Sequence, residues 1–210
     1  MLHHHQFHRS PAAGVRCPDL VSLITFGDDA TVHCGLVSAF DPKLAATVDG
    51  LDRLTPGWTN TAAGLRAGVD LLSRAPRGLR RRLWLLSDGR TTHGLAGIAP
   101  TVARARKCWI NINTVGFGDP REFDEPALRA IAAGTHNGRF LMADTAEKLG
   151  QVFRKAAGHR EGRFARGEAT AFVIDASGSM FAEKMNGRQR MQVVKKAMYG
   201  LIAYKQAMWS

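Results

Sequence analysis

Short apolar runs alternate with helical patterns along most of the chain. Residues 20–26 (LVSLITF) form an apolar run that predicts a buried strand, and the Gly-Asp-Asp after it predicts a hairpin turn to a second strand at 31–37. The stretch TAAGLRAGVDLL keeps its apolar residues on one helical face. Residues 83–87 (LWLLS) are nearly all apolar, as expected for a strand covered on both sides.

The same alternation continues to the end of the chain. It predicts a helix at TVARARKC, strands at 112–115, 139–142 and 171–174, a helix at 125–133, a helix opened by a capping box of Asp144 and Glu147, and a long final helix. Alternating strands and helices are typical of an α/β fold with a parallel sheet covered on both faces. We therefore expect a doubly wound, mostly parallel six-stranded sheet with one antiparallel edge strand.

The chain has 210 residues, which suits one domain or two small ones. Residues 1–16 are rich in histidine and lack an apolar period, so we expect a disordered tail. Residues 158–168 are polar and glycine-rich, which predicts a linker between the structured parts at 17–157 and 169–210.

Charge points to an anionic partner without identifying it. The chain has 29 Lys and Arg against 18 Asp and Glu, a net charge of +11. The basic residues fall in separate groups with no aromatic residues interleaved to stack bases. A solvated basic surface is therefore favoured over a site for nucleic acid or an acidic partner, which stays the alternative.

Cysteine usage and hydropathy favour a cytoplasmic protein. The three cysteines are an odd number without C-x-x-C spacing, which predicts neither a disulfide framework nor a zinc knuckle. No apolar run is long enough to cross a membrane, and the first residues lack the apolar region of a secretory signal.

Three polar segments follow predicted strands or open a helix, where α/β sheets place their ligands. They are Asp175-Ala-Ser-Gly-Ser179, Thr59-Asn-Thr61 and Ser87-Asp-Gly89. Their side chains end in carboxylate or hydroxyl oxygen, a set that suits Mg²⁺ or Mn²⁺ rather than zinc or copper. Each segment could also be a plain turn or helix cap.

Together these segments resemble the von Willebrand factor type A domain and its metal-ion-dependent adhesion site. Asp175, Ser177 and Ser179 match the family's D-x-S-x-S motif, GWTNTAAGL is similar to its threonine loop, and LWLLSDG is similar to its S-D-G turn. TVGFGD is also similar to a later segment of the family.

The resemblance implies a set of metal ligands and a rim for a partner. Ser177, Ser179 and Thr59 would hold Mg²⁺ directly or nearly so, and Asp175 and Asp88 would hold it through water. Thr61 is the alternative to Thr59, since both precede the same helix. The partner-binding rim would consist of Trp58, Asn60, Thr61, Met180 and Gly89.

The order of the motifs departs from the family pattern, because D-x-S-x-S comes first there and last here. This order indicates a circular permutation of one domain, with an expected sheet order of 2-1-6-3-4-5. The alternative is a fragment of a tandem array, in which one domain ends and the next begins.

The resemblance implies a metal-dependent module that binds a partner's Asp or Glu carboxylate. The run ASGSM followed by RMQVVKKAM is similar to magnesium-chelatase D-subunit-like members, which work beside AAA+ ATPases. No nucleophile elbow and no evident general base are present, so we expect no enzymatic activity. A nucleic-acid or ribonucleoprotein component is the alternative function.

Overall fold

The computed structural model describes residues 19–156, 167–185 and 187–207. The expected tail at 1–16 and most of the expected linker at 158–168 lie outside the described residues. The strands of the main sheet are β1 (Leu20–Phe26), β2 (Ala30–Ser38), β3 (Arg80–Ser87), β4 (Ile110–Phe117), β5 (Phe140–Ala143) and β6 (Glu168–Asp175). The helices are α1 (Pro42–Gly50), α2 (Thr61–Ser73), α3 (Ile98–Lys107), α4 (Glu125–Ala133), α5 (Ala146–Ala156), α6 (Gly178–Ala182) and α7 (Arg190–Ala207). A short hairpin of β7 (Lys184–Met185) and β8 (Arg188–Gln189) precedes α7.

The six strands form one sheet in the order β2-β1-β6-β3-β4-β5, which confirms the predicted order. Only β2 is antiparallel to its neighbour, and the other neighbouring pairs are parallel. The strand β6 lies between β1 and β3, and every one of its residues is buried. The carboxyl ends of β1, β6, β3 and β4 therefore meet at one edge of the sheet, which we call the carboxyl edge.

Two apolar layers cover the sheet. On one face, α1, α5 and α7 pack against side chains such as Leu86, Phe117 and Phe172. On the other face, α2, α3 and α4 pack against side chains such as Phe26, Leu85 and Val173. Each central strand alternates its side chains between the two layers, and this is why its sequence is apolar at almost every position.

The helix α1 is absent from the sequence prediction, because its nine residues hold only two buried apolar side chains, Leu44 and Val48. These two residues are one helical turn apart and share a face. Asp41 caps the helix by accepting a hydrogen bond from the Lys43 N–H at 2.9 Å. So short an amphipathic element leaves little periodicity to detect.

The prediction of Asp144 as part of a capping box is wrong. Thr145 caps α5, because its hydroxyl accepts a hydrogen bond from the Lys148 N–H at 3.2 Å. The Asp144 carboxylate accepts a bond from the Lys148 ammonium instead, at 2.7 Å.

A buried ion pair fastens the end of α7 to the start of the sheet. The Lys205 ammonium lies 2.9 Å from the Asp19 carboxylate, and both side chains are buried. The same carboxylate accepts a hydrogen bond from the Glu168 N–H at the start of β6. The first strand, the central strand and the last helix thus share one polar anchor.

The described residues bear on two sequence expectations, those on disulfide bonds and on membrane-spanning segments. Cys34 and Cys108 are free thiols, and Cys17 lies outside the described ranges. Of the helices in those ranges, none combines the length and the apolar character needed to cross a membrane.

Candidate metal-binding site

Backbone contacts bring the D-x-S-x-S segment and the threonine loop together at the carboxyl edge. The Ala176 carbonyl accepts a hydrogen bond from the Gly57 N–H at 3.3 Å, and the Gly57 carbonyl accepts one from the Gly178 N–H at 3.2 Å. A Cβ on Gly57 would lie 3.0 Å from the backbone nitrogen of Asp28 and 3.3 Å from the Cα of Gly27, in the turn after β1. The glycine of the sequence GWTNT therefore permits the threonine loop to approach that turn closely, while its backbone bonds to the D-x-S-x-S segment.

Asp175 ends β6 at the centre of this edge, and its carboxylate is fully buried. One carboxylate oxygen accepts a hydrogen bond from the Ser177 N–H at 2.9 Å. The other accepts a bond from the Ser87 hydroxyl, at the end of β3, at 2.7 Å. Two neighbouring strand ends thus fix the orientation of this side chain.

A chain of short hydrogen bonds connects the two serines to the second aspartate. The Ser177 and Ser179 hydroxyls are 3.1 Å apart. The Ser179 hydroxyl donates to the Asp88 carboxylate at 2.8 Å, across 91 positions of the sequence. The structure therefore brings the D-x-S-x-S motif and the S-D-G turn into direct contact.

The two threonines of the threonine loop have different surroundings. A Cβ placed on Gly89 would lie 3.6 Å from the Thr59 hydroxyl oxygen and 3.9 Å from that of Ser179, so these oxygens flank the same space. The Thr61 hydroxyl bonds to Thr91 at 2.6 Å instead. Thr59 is thus the threonine that lies beside the other predicted ligands.

The predicted rim is only partly exposed. Trp58 is 63 % exposed and meets His93 edge to face, and Gly89 is half-buried. Asn60 is also half-buried, and its side chain caps α2 by accepting a bond from the Ala63 N–H at 3.1 Å.

Two of the predicted rim positions are wrong. Met180 is completely buried in the apolar layer beneath α7, and Thr61 is 2 % exposed. The first turn of α6 points its apolar side chain into the core, so no partner surface can reach Met180.

An arginine that the sequence analysis placed on the solvated surface belongs to this site. The Arg190 guanidinium donates to the Asp88 carboxylate at 2.9 Å, and it also pairs with Glu122 in the loop between β4 and α4. Its side chain is 5 % exposed. A Cβ on Gly118, whose φ is +110°, would lie 2.8 Å from the guanidinium, so the G-F-G sequence makes room for it.

The signal for Arg190 lies in the pattern of α7. Arg190 precedes Val194 by one helical turn and Met198 by two, and all three side chains are buried. A charged residue on the apolar stripe of a helix predicts a buried ion pair. Arg190 stands in a stretch rich in basic residues, 188–196, whose other arginine and lysines are exposed or half-buried, and this surrounding charge hides the signal.

Burial and proximity disfavour two negative charges at this site. Burial raises the pKa of the Asp88 carboxyl, although bonds from Ser179 and Arg190 oppose the rise. Burial, and next the charge of Asp88, raise the pKa of Asp175 to about 7. A divalent cation would relieve this repulsion.

The residues fit Mg²⁺ by the chemistry of their donors. Two carboxylates and three hydroxyls converge, and hard oxygen donors of this kind suit Mg²⁺ or Mn²⁺. Across the described ranges, no group of three or more His, Cys, Asp or Glu side chains could hold a metal ion. An ion at the carboxyl edge would therefore depend on the hydroxyls as well as the two aspartates.

Comparisons with known proteins cover about two thirds of the chain. A family model described as the von Willebrand factor type A domain matches residues 15–155, which end before β6. Among solved structures, the chain is similar to von Willebrand factor type A from Catenulispora acidiphila, with 20 % identity and a TM-score of 0.57 over 65 % of this chain and 32 % of that one. This likeness shows the fold.

Two further solved structures are similar over comparable lengths. Proximal thread matrix protein 1 from the mussel byssus has 24 % identity and a TM-score of 0.45, over 62 % of this chain and 32 % of that one. An uncharacterized membrane spanning protein from Vibrio fischeri has 26 % identity and a TM-score of 0.34, over 66 % of this chain and 75 % of that one. The chain thus spans about a third of the length of the Catenulispora acidiphila protein and of the mussel protein. No curated protein matches the sequence.

Proposed function

Because the chain belongs to the von Willebrand factor type A domain family, whose members generally mediate protein–protein interactions, we propose that it binds a partner protein through a divalent cation at the carboxyl edge. The ion would be Mg²⁺ or Mn²⁺, and the partner would present an Asp or Glu carboxylate. The observation that carries the proposal is the contact between Ser179 and Asp88, which joins motifs that lie 91 positions apart in the chain.

Each residue has a distinct role in this proposal. Ser177, Ser179 and Thr59 supply neutral oxygen ligands, and Asp175 and Asp88 supply negative charge through water. When bound, the cation offers a positive centre with an exchangeable position for an outside carboxylate. Because three of the five ligands are neutral, they leave much of the cation's charge for the partner.

The local structure supports the orientation of these ligands. The bonds to Asp175 from Ser87 and from the Ser177 backbone hold that carboxylate before any ion arrives. Preorganised ligands lose little side-chain freedom on binding, which strengthens the interaction. The exposed Trp58 lies next to the threonine loop, where a partner's side chain would contact it.

A first experiment measures the metal alone. Purified protein is melted in EDTA and at increasing Mg²⁺, and Ser177→Ala is compared with Ser73→Ala, a matched control at the end of α2. We expect Mg²⁺ to stabilise the wild type and the control by about 2.7 kcal/mol at one hundred times Kd. Ser177→Ala should lose most of this stabilisation.

A second experiment tests the carboxylate. Immobilised peptides of mixed flanking sequence carry either Asp or Asn at one central position, and retention of the protein is measured in Mg²⁺ and in EDTA. The proposal expects retention on the Asp peptides in Mg²⁺ only. Equal retention on Asp and Asn peptides, or in both solutions, would contradict it.

We also propose that the chain is a circularly permuted single domain, with 17–157 and 169–210 forming one unit joined by the stretch at 158–168. The position of β6 between β1 and β3 supports this reading, because the sheet needs the C-terminal strand to be continuous. Light scattering after size exclusion tests it at two concentrations. A concentration-independent mass of 22.9 kDa is expected, whereas a swapped dimer would favour a fragment of a tandem array.

An AAA+ ATPase is the partner class that the ASGSM segment suggests, and we propose no enzymatic activity for the chain itself. Pull-down of an ATPase that requires Mg²⁺ and fails with Ser177→Ala would support that partner. Capture that is equal in EDTA would oppose it.

A further inference from the structure

A cavity lies toward the edge of the sheet opposite the carboxyl edge, where β3 and β4 begin. Its volume is about 680 Å³, and its lining includes Arg80, Arg82, Trp84, Trp109 and Arg139. Along β3, Arg80 at the outer end of the cavity lies roughly 23 Å from Ser87 beside the candidate metal-binding site, and Trp84 in the lining lies roughly 10 Å from it. The arginines of the cavity and the candidate metal-binding site therefore lie at opposite ends of β3.

An exposed aromatic pair forms one wall of the cavity. Trp109 is 73 % exposed and stacks on His136, with ring centroids 4.5 Å apart and planes inclined by 15°. Trp109 also has a φ of +55°, a conformation that bulky residues rarely adopt. A large apolar ring held in solvent by strained backbone is typical of a binding surface rather than of a packing position.

Arginines surround this aromatic pair. Within the described ranges, Arg80 and Arg139 form no ion pair with a carboxylate, whereas Arg82 pairs with Glu168 at 3.0 Å. Arg81 donates to the carbonyls of Ala75 and Cys108, which fixes the backbone just before Trp109. The cavity therefore carries an excess of positive charge next to a stacking surface.

The floor of the cavity offers a buried donor. Trp84 is 5 % exposed, and its indole N–H has no acceptor among the residues that the structure describes. Buried donors are nearly always paired, so an unpaired N–H on a residue of the lining supports a polar ligand at this cavity. Asn113, also in the lining, accepts a bond from the Arg139 N–H and positions that arginine.

The pairing of β3 with β4 explains why the sequence shows no such site. Arg81 lies opposite Ile110 and Arg82 opposite Asn111 in the sheet, so Trp109 falls beside the start of the arginine run. Along the chain the arginines and Trp109 are more than twenty positions apart. The aromatic platform that the basic groups lack in sequence is present in space.

We propose that this cavity binds a nucleotide unit, with the base stacked on Trp109 and the phosphate held by Arg80 and Arg139. A planar base next to a phosphate matches an exposed indole flanked by guanidinium groups. The cavity volume lies in the range of small-molecule sites. Two sources share this chemistry, a free mononucleotide and a single-stranded nucleic acid.

The test uses fluorescence polarisation with a labelled twelve-nucleotide oligothymidylate, and thymidine monophosphate as an unlabelled competitor. Trp109→Asn removes the ring while keeping a residue that tolerates positive φ, and Trp109→Phe retains a ring. We expect the Asn variant to weaken binding about tenfold, from the loss of one stacked base, and the Phe variant to restore most of it. Removing Arg80 and Arg139 together should lower the salt dependence by about one phosphate contact, since both hold the same phosphate.

Matched variants at other edges separate this site from general charge effects. Trp58→Asn removes the exposed tryptophan beside the metal-binding site, and Arg188→Ala removes an exposed arginine next to α7. Both should bind oligothymidylate within twofold of wild type, in Mg²⁺ and in EDTA alike. Competition by the monophosphate would identify a free nucleotide as sufficient, and competition by oligonucleotide alone would identify the single strand.

Three results would overturn the proposal. The first is the absence of binding to both probes at millimolar concentration. The second is equal loss in Trp109→Asn and Trp58→Asn. The third is competition by inorganic polyphosphate that is as strong as competition by unlabelled oligothymidylate and that Trp109→Asn does not change. Charge alone would then explain binding. Melting curves of the variants should show that each is folded, because the substituted positions are exposed.

Discussion

Replacing Arg190 with Met removes the cation that compensates Asp88 while keeping an unbranched side chain of comparable length. The guanidinium lies 2.9 Å from the Asp88 carboxylate, and the two side chains are 5 % and 0 % exposed. Removing one partner of a buried ion pair costs about 3–5 kcal/mol, because the remaining charge stays desolvated. For a chain of this size, such a loss lowers Tm by roughly 6–20 °C.

The pH dependence of the loss separates an electrostatic cause from lost packing. Without Arg190, the folded-state pKa of Asp88 rises further above its unfolded value of about 3.9. The electrostatic loss of stability in Arg190→Met is then absent below the unfolded-state pKa of Asp88 and grows as pH rises. Its upper limit is about 6 kcal/mol at pH 8 and about 2 kcal/mol at pH 5.5. Lost packing would cost the same at both pH values.

The assay is urea unfolding of metal-free protein in EDTA at pH 5.5 and pH 8, with Arg188→Met as the control for an exposed arginine. The control should stay within about 0.5 kcal/mol of wild type. Saturating Mg²⁺ should restore part of the loss in Arg190→Met, since a bound cation also compensates Asp88. A loss below about 1 kcal/mol at pH 8, or an equal loss at both pH values, would refute the reasoning.

Three further predictions concern charge, packing and the rim. In EDTA at pH 8, Asp175→Asn should unfold at a higher temperature than wild type, because ionising a carboxyl whose folded-state pKa is about 7 destabilises the folded protein by up to about 4 kcal/mol. The difference in Tm should vanish near pH 4, where this carboxyl is protonated in the folded protein. The variant should not be stabilised by Mg²⁺. Gly64→Ala should destabilise the protein by about 1–3 kcal/mol in urea unfolding, since the new Cβ would lie 2.7 Å from the Phe26 ring. Gly200→Ala should stabilise it by about 0.5–1 kcal/mol, because no atom lies within 4 Å of the new Cβ. Changes of the same sign in both variants would contradict the packing described. Trp58→Ala should weaken retention on Asp peptides and leave the Mg²⁺-dependent rise in Tm unchanged, and a lost Tm rise would instead assign Trp58 to the ion site.

The main sheet was predictable because burial on two faces leaves a direct signature in each strand. The runs at 20–26 and 171–174 are apolar at nearly every position, and both belong to strands of the main sheet. The helix α1 was not predictable, since two buried side chains in nine residues give no clear period. The cap of α5 was misassigned because aspartate and threonine are both favoured caps and adjacent there.

The candidate site was predictable where it depends on strand ends. Asp175 ends β6 and Asp88 follows β3, and parallel strands end at one edge, so the motif pattern alone brought them together as a hypothesis. Arg190 escaped notice because its neighbours in sequence are basic and solvated. Met180 was misplaced for the opposite reason, since a residue next to the motif can still point into the core.

Local chemistry in the chain was sufficient to decide most of the strands and helices and which oxygen-bearing side chains stand at the strand ends, because those preferences act over a few neighbouring residues. Only tertiary structure decided that Arg190 compensates Asp88, 102 positions away, and that Trp109 joins the arginines of β3. Both depend on sheet register and helix docking, which bring distant residues to contact distance. Burial then sets how strongly these charged groups interact, because a carboxylate removed from water requires a partner that an exposed carboxylate does not.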